Sequence, residues 1–433
     1  MNSLSIHIKF LLTCLLLTST ITYSKLKIEI TDGIQEPLKI AIVPFSQERH
    51  ASPHNKLHKI IASDLESFGE FKVIKPQEML SFPNNEEEVF YRDWKLLGVK
   101  YLLFGSFEES DANKRLTVSY SLFDISRGKR LYIGLINSPV KSFRKLAHKI
   151  SDKVYQKING IPGIFSTKLV YVAKPKVMED IYLLKISDID GWNDVSIFSS
   201  SQPLLSPDWS PMGDKIAYVS FEKGYSQIFI QELSSGRRKA LELQQGINSA
   251  PSWSPDGQYI AAVLSKSGNP DIFIYDLKRD YWNQLTFHYG IDTEPSWSSN
   301  GKHILFTSNR SGSPQIYEMN VSSGRIKRKT FEGSYNARGR YLSDGRNIAL
   351  IHRREDLFHV AIQNLRNGKL TVLTDTSLDE SPTISPNGNV IIYATKKNDK
   401  GILSGITIDA KTKFILPPMI GEVREPAWSP LLK

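Results

Sequence analysis

Cysteine is all but missing. The 433-residue chain has one, Cys14, inside an amino-terminal apolar run, so no disulfide can staple the rest of the chain. No G-x-S-x-G occurs, which removes the nucleophile elbow of a serine hydrolase. Neither a P-loop nor a G-x-G-x-x-G after a strand is present, so the usual phosphate cradles are absent too. Acidic side chains are outnumbered by basic ones, 45 to 55, for a net charge of +10. The surplus is spread along the chain except at 143–158. There Phe143, Leu146, Ile150, Val154 and Ile158 form an apolar helical stripe opposite Arg144, Lys145, Lys149, Lys153 and Lys157. No aromatic interleaves with these lysines, which favours a solvated basic face on a docked helix over a nucleic-acid or membrane surface.

Metal-ligand sets are thin as well. His50, His54 and His58 recur every fourth residue, but no firm third ligand stands nearby, and they read as surface histidines. Asp188-Ile-Asp190-Gly191-Trp-Asn193-Asp194 has the flavour of a calcium loop. It occupies the place where sister segments have Ser234-Ser235-Gly236 or Ser322-Ser323-Gly324, and it reads as a hairpin turn. The residues therefore point to no cofactor, no metal and no enzyme chemistry.

What the chain has instead is a repeat. P-S-W-S-P-D-G-Q-Y-I-A-A-V-L at Pro251 is matched at Pro207, Pro295, Pro382 and Pro426, with a worn copy at Gly339; the steps are 44, 44, 44, 43 and 44 residues. One such period is a four-stranded propeller blade. The segment around Trp253 is the innermost strand, whose tunnel-side edge tolerates proline because no partner needs its N–H. Ser254-Pro255-Asp256-Gly257 is a tight turn, Tyr259–Leu264 the second strand, Asp271–Asp276 the third and the run near Asn283 the fourth. Trp209, Trp253, Trp297 and Trp428, with Tyr341 and Ile384 in the worn copies, are expected to wedge between blades. Lys168–Lys174 is a second strand with no proline motif ahead of it. The orphan P-A-W-S-P at Pro426 supplies its inner neighbour, closing a ring of six blades without an open edge.

Ahead of the propeller, residues 1–24 read as a secretory signal: Lys9, an apolar Phe10–Leu17, and Thr22-Tyr23-Ser24 as the cleavage site, cut after Ser24. A cysteine-free exported chain fits a bacterial periplasm. Residues 25–36 open with K-L-K-I-E-I-T, an alternating strand set apart by Asp32-Gly33 and Pro37. Residues 37–160 form a small α/β domain, joined through Ile161-Pro162-Gly163 to the propeller at 161–433. The expected architecture is an all-β six-bladed β-propeller preceded by a small α/β domain.

The order of these features resembles the TolB family of the Tol-Pal envelope system. The likeness is carried by the signal, K-I-E-I-T-D-G, the I-A-I-V-P-F strand, Trp94 with Leu97-Gly98, G-I-P-G-I-F-S-T-K-L-V-Y-V, and the T-E-P-S-W, L-D-E-S-P and P-A-W-S-P-L repeats. The resemblance implies a non-enzymatic periplasmic adaptor that supports outer-membrane integrity and constriction during cell division. The loops entering the inner strands open on one mouth and carry a mainly polar ring suited to gripping a protein, Asn248, Ala250, Asp292, Thr293, Glu294, Asn336, Arg338, Asp379, Glu380, Arg424 and Glu425; the resemblance implies that this mouth binds the lipoprotein Pal, with Asn248, Ala250, Thr293, Glu294, Asp379 and Glu380 facing it. Its amino-terminal strand, Lys25, Leu26, Lys27, Ile28, Glu29, Ile30, Thr31, Asp32, Gly33 and Ile34, would bind the carboxy-terminal domain of TolA. Further outer-membrane or peptidoglycan-associated partners are compatible with it; nucleic acid is not. Two departures stand out: Ile247 replaces a common histidine, and Gly339-Arg340-Tyr341 replaces the usual proline start. The competing reading is a propeller that grips peptidoglycan or another glycan directly, which calls for aromatic platforms on the mouth. The motif tryptophans lie within strands, not in those loops.

Overall fold

The computed structural model describes residues 27–30, 36–46, 57–110, 114–176, 180–417 and 421–432. Lys25, Leu26, Thr31, Asp32, Gly33 and Ile34, the signal segment and His50 and His54 lie outside them. Strand β1 (Lys27–Ile30) precedes a sheet built from β2 (Leu38–Ile42), β3 (Phe71–Ile74), β4 (Tyr101–Ser110), β5 (Arg115–Asp124) and β6 (Lys129–Pro139). The order is β3-β2-β4-β5-β6, with β3 and β4 parallel to β2 and the β4-β5-β6 meander antiparallel.

Helices α1 (Leu57–Glu66) and α3 (Phe143–Asn159) cover one face, while the short α2 (Tyr91–Leu96) lies on the other. Apolar residues every third or fourth place give α1 and α3 one greasy stripe each. Leu57, Ile61 and Leu65 of α1 meet Leu146, Ile150 and Val154 of α3 over Ile40, Ile42 and Leu103 of the sheet. On the other face Trp94 of α2 is buried beside Leu102, Phe104 and Phe123. His58 is buried on α1 and is not a surface histidine, because its place in the helical stripe turns it inward.

Six sheets make the propeller. Blades 2 to 5 each run inner to outer in chain order, starting at Leu204, Asn248, Asp292 and Asn336. Blade 6 starts at Glu380, and β1 pairs antiparallel with its outer strand Thr412–Ile415 as an added fifth strand. Blade 1 takes its inner strand, Glu422–Trp428, from the end of the chain, paired with Lys168–Lys174. Trp428 fixes that join: its indole N–H donates to Thr167 Oγ1 (2.8 Å) and its backbone N–H to Thr383 Oγ1 of blade 6 (2.9 Å).

The two halves share one core. The cluster holding α1 and α3 continues through Ile164 and Phe165 into Tyr171, Phe414 and Trp428. Phe68 stacks on Phe165 and tilts against Phe414, each at 5.5 Å between ring centres. Gly69, at φ +72°, lets the chain pass blade 6 so closely that a Cβ there would sit 2.7 Å from Thr412 Oγ1. This contact lies at the end of the blades where the S-P-x-G turns project; Asn387 of one such turn donates to Pro162 O (2.9 Å). The opposite mouth, where the inner strands begin, faces away from the α/β unit.

Candidate partner-binding mouth

Every inner strand carries a bulge in its first half, and each bulge puts a non-glycine residue at positive φ: Ser206, Ala250, Glu294, Arg338, Ser381 and Glu425, between 47° and 57°. These six line the tunnel, a cavity of about 310 Å³. A bulge detaches backbone N–H groups from the ladder, and neighbouring blades collect them. Glu425 Oε2 accepts from Ser206 N (3.2 Å) and Glu294 Oε2 from Arg338 N (3.1 Å), while Asp208 Oδ2 accepts from Trp253 N (2.7 Å) on the unpaired tunnel edge beyond its bulge. Trp209 and Trp297 donate their indole N–H to Ala427 O (3.0 Å) and Ser252 O (3.1 Å) of the preceding blade. The tryptophans are wedges between blades.

Charge is concentrated inside this ring. Arg338 reaches Glu294 Oε1 (2.8 Å) and Glu425 Oε1 (3.3 Å), and also donates to Ser381 Oγ. Burial works against its charge, but Glu425 and Glu294 raise its pKa above the ordinary arginine value. Deeper in, Arg340 donates to Pro295 O (3.2 Å) and faces Asp208. Burial lowers the arginine's pKa and pushes the Asp208 carboxyl up to about 6, each opposed by the other's charge. Asp208 keeps some surface open to the tunnel, but the protein packed around its carboxylate sets the direction. Burial, then Glu425, raises Glu380 at the rim.

The expected mouth residues divide into two groups. Asn248, Asp292, Asn336 and Asp379 occupy one repeat position and turn inward, all at most 2% exposed. Asn248 Nδ2 donates to Gln244 O (2.7 Å) and Gly246 O (3.0 Å), and Asn336 Nδ2 to Gln315 Oε1 (2.9 Å) and Glu332 O (2.8 Å). Arg310 donates to Asp292 (2.7 Å), and Thr374 and Thr376 to Asp379. As a ring of surface side chains these four need correcting: they staple the loops, because a buried backbone turn must have its donors and acceptors met. Ala250, Thr293, Glu294, Arg338, Glu380, Arg424 and Glu425 are half-buried around the opening. Glu380 and Arg424 line a second groove of about 320 Å³ between blades 6 and 1, where Arg424 sits 5.7 Å over the Tyr182 ring.

Against this geometry stand the known proteins. The family model described as TolB beta propeller domain matches residues 155–432, and that of the TolB amino-terminal domain matches residues 26–131. The chain belongs to the TolB family. A Tol-Pal system protein TolB from Alcanivorax borkumensis is 52% identical over 410 residues, 94% of each chain. Another, from Hahella chejuensis, is 52% identical over 421 residues, 97% of this chain and 98% of that one. The crystal structure of TolB from Acinetobacter baumannii superposes with a TM-score of 0.85 at 39% identity, covering 94% of this chain and all of that one (100%). The resemblance and the six-bladed propeller behind an α/β unit hold as expected, and this is a Tol-Pal system protein.

Two features of this TolB-family mouth escape a reading of the repeats. One is the tunnel pairing, although Asp208 and Arg340 stand at one offset three repeats apart, which in a ring of six means opposite sides. The other is apolar: Phe287, Tyr289 and Phe331 on the loops leading into the inner strands are 76, 86 and 71% exposed, so the mouth does carry aromatics. Outside the mouth, Lys168 Nζ pairs with Asp188 (2.5 Å), Lys185 Nζ with Asp194 (2.5 Å), and Arg144 with Asp190. Ammonium and guanidinium groups thus neutralise the calcium-like segment, which is the hairpin turn of blade 1.

Proposed function

We propose that the protein is a non-enzymatic periplasmic adaptor of the Tol-Pal system, exported by a signal cut after Ser24. In this reading the mouth holds Pal, residues 25–34 serve the carboxy-terminal domain of TolA, and the linkage supports outer-membrane integrity during division. The observation that carries it is β1. Among the described residues it pairs with no strand of the α/β sheet and lies as the outermost strand of blade 6, on an edge that is complete without it. A strand held at an edge can exchange that edge for a partner's sheet, with backbone hydrogen bonds giving affinity and alternate side chains giving register.

The mouth suits a protein better than a sugar. Phe287, Tyr289 and Phe331 could stack on a glycan, but they are interspersed with exposed Leu243, Ile247 and Ile291, aliphatic groups that bury well against a protein. Calorimetry with the intact protein and a form lacking residues 25–34 tests the adaptor. TolA binding is expected to vanish while Pal binding and the melting curve stay nearly as they were. Undiminished TolA affinity would reduce β1 to a structural strand and overturn the proposal.

A further inference from the structure

We propose that the outer edge of β6 receives an extended acidic segment of another protein as an added strand. β6 has β5 on one side and, among the described residues, no strand on the other. It runs for 11 residues, about twice the usual strand length. Natural edges of this length are generally blunted by charge, proline or a bulge. Here the bulge, at Leu131, lies near the start and Pro139 at the end, leaving Tyr132–Ser138 regular. On the outer face Ile133 and Leu135 are 54 and 72% exposed, opposite Ser121 and Ser119 of β5.

The other face of the strand meets α3. Lys153 and Lys157 hold their ammonium groups 5.6 and 4.8 Å from the ring of Tyr132 on β6. With Lys145 and Lys149 they form a row at four-residue spacing, in which like charges repel. None of the four has a carboxylate partner among the described residues; Lys153 donates to Gln156 Oε1 (3.0 Å). Side chains of an incoming strand alternate between faces. Those on the α3 side would meet ammonium groups and those on the other side Ile133 and Leu135, so the fitting segment alternates acidic and apolar residues. A second copy of β6 would bring two lysine rows together, and the chain's own K-L-K-I-E-I-T carries the wrong sign. An anionic bilayer needs lysines and apolar groups on one side, whereas here the sheet separates them.

The test titrates the intact protein with a synthetic peptide of alternating glutamate and valine, with a scrambled peptide of the same composition and phosphatidylglycerol vesicles as rivals. The alternating peptide is expected to slow amide exchange within 129–139. Leu135→Lys, and separately Lys153→Glu with Lys157→Glu, should each weaken it by about tenfold or more with unchanged melting. Absence of binding at millimolar peptide overturns the proposal. So does equal affinity for the scrambled sequence, protection elsewhere in the chain, or vesicles that displace the peptide through the same lysines.

Discussion

Six non-glycine residues at positive φ are a strained way to build a tunnel, and the strain is offset by what their backbone and side chains do for the next blade. Arg338 shows it best. Its own N–H is held by Glu294, and its guanidinium ties Glu294 of blade 4 to Glu425 of blade 1 across the ring. Arg338→Met should cost about 3 kcal/mol, the low end for stranding buried partners, because the pair lines the tunnel and is only partly buried. Chemical unfolding reads this directly, and a loss under about 0.5 kcal/mol, typical of exposed ion pairs, would make the bridge dispensable. A second residue-scale feature is His148, which lies between Asp64 of α1 (Nδ1 to Oδ2, 2.8 Å) and Asp190 of blade 1 (Nε2 to Oδ2, 3.7 Å), with Ser151 and Arg144 alongside. Each ring nitrogen faces a different carboxylate, so the imidazole bridges them. Burial and Arg144 oppose its charge, but Asp64 and Asp190 outweigh them and raise its pKa. Burial also pushes Asp64 up, against His148 and Ser151; the shared proton belongs on the imidazole, the stronger base. A raised histidine gives stability that is full below its unfolded value of about 6.5 and is lost as pH climbs through the folded one. The melting temperature should therefore fall as pH rises above about 6.5, and His148→Asn should flatten that slope in calorimetry; an unchanged slope would assign it elsewhere.

Among elements, the inner strand of blade 1 has the largest role for its length. Removing residues 426–433 takes away Trp428 and its bonds to Thr167 and Thr383, and strips Leu169 and Val170 of their inner-strand partners. The truncated chain should melt well below the intact one and bind hydrophobic dye; equal melting would mean the ring does not depend on this join. The join was legible in the sequence because a strand without its motif and a motif without its strand stood at opposite ends of one repeat series. The blades were legible for a similar reason, since proline, the S-P-x-G turn and alternating β-branched residues each have one mechanical meaning. The mouth was less so. Asn248, Asp292, Asn336 and Asp379 look like surface residues because they are polar, but recurrence at one offset is itself a structural signal: a position every blade needs in the same form serves the blade. Nor could composition reveal the left-handed residues, which are Ser, Ala, Glu and Arg, none a type that favours that conformation. The exposed Phe287, Tyr289 and Phe331 went unseen because loop aromatics bury or project according to neighbours that only tertiary structure supplies.

At the scale of the molecule, the seam between blades 6 and 1 gathers nearly everything that is not repeated. The closing strand lies there, β1 sits on the outer edge of blade 6, and the α/β unit packs its core against both blades through Phe68, Phe165 and Phe414. No other seam among the described residues has such a buttress. Among the described residues no helix is long and apolar enough to cross a membrane. Because Lys168–Lys174 waits for Glu422–Trp428, the ring cannot shut until that strand has left the ribosome. Long-range pairing of this kind is slow to form, so closure comes after the blades that are built from consecutive strands. The closing strand thus acts as a clock as well as a clasp.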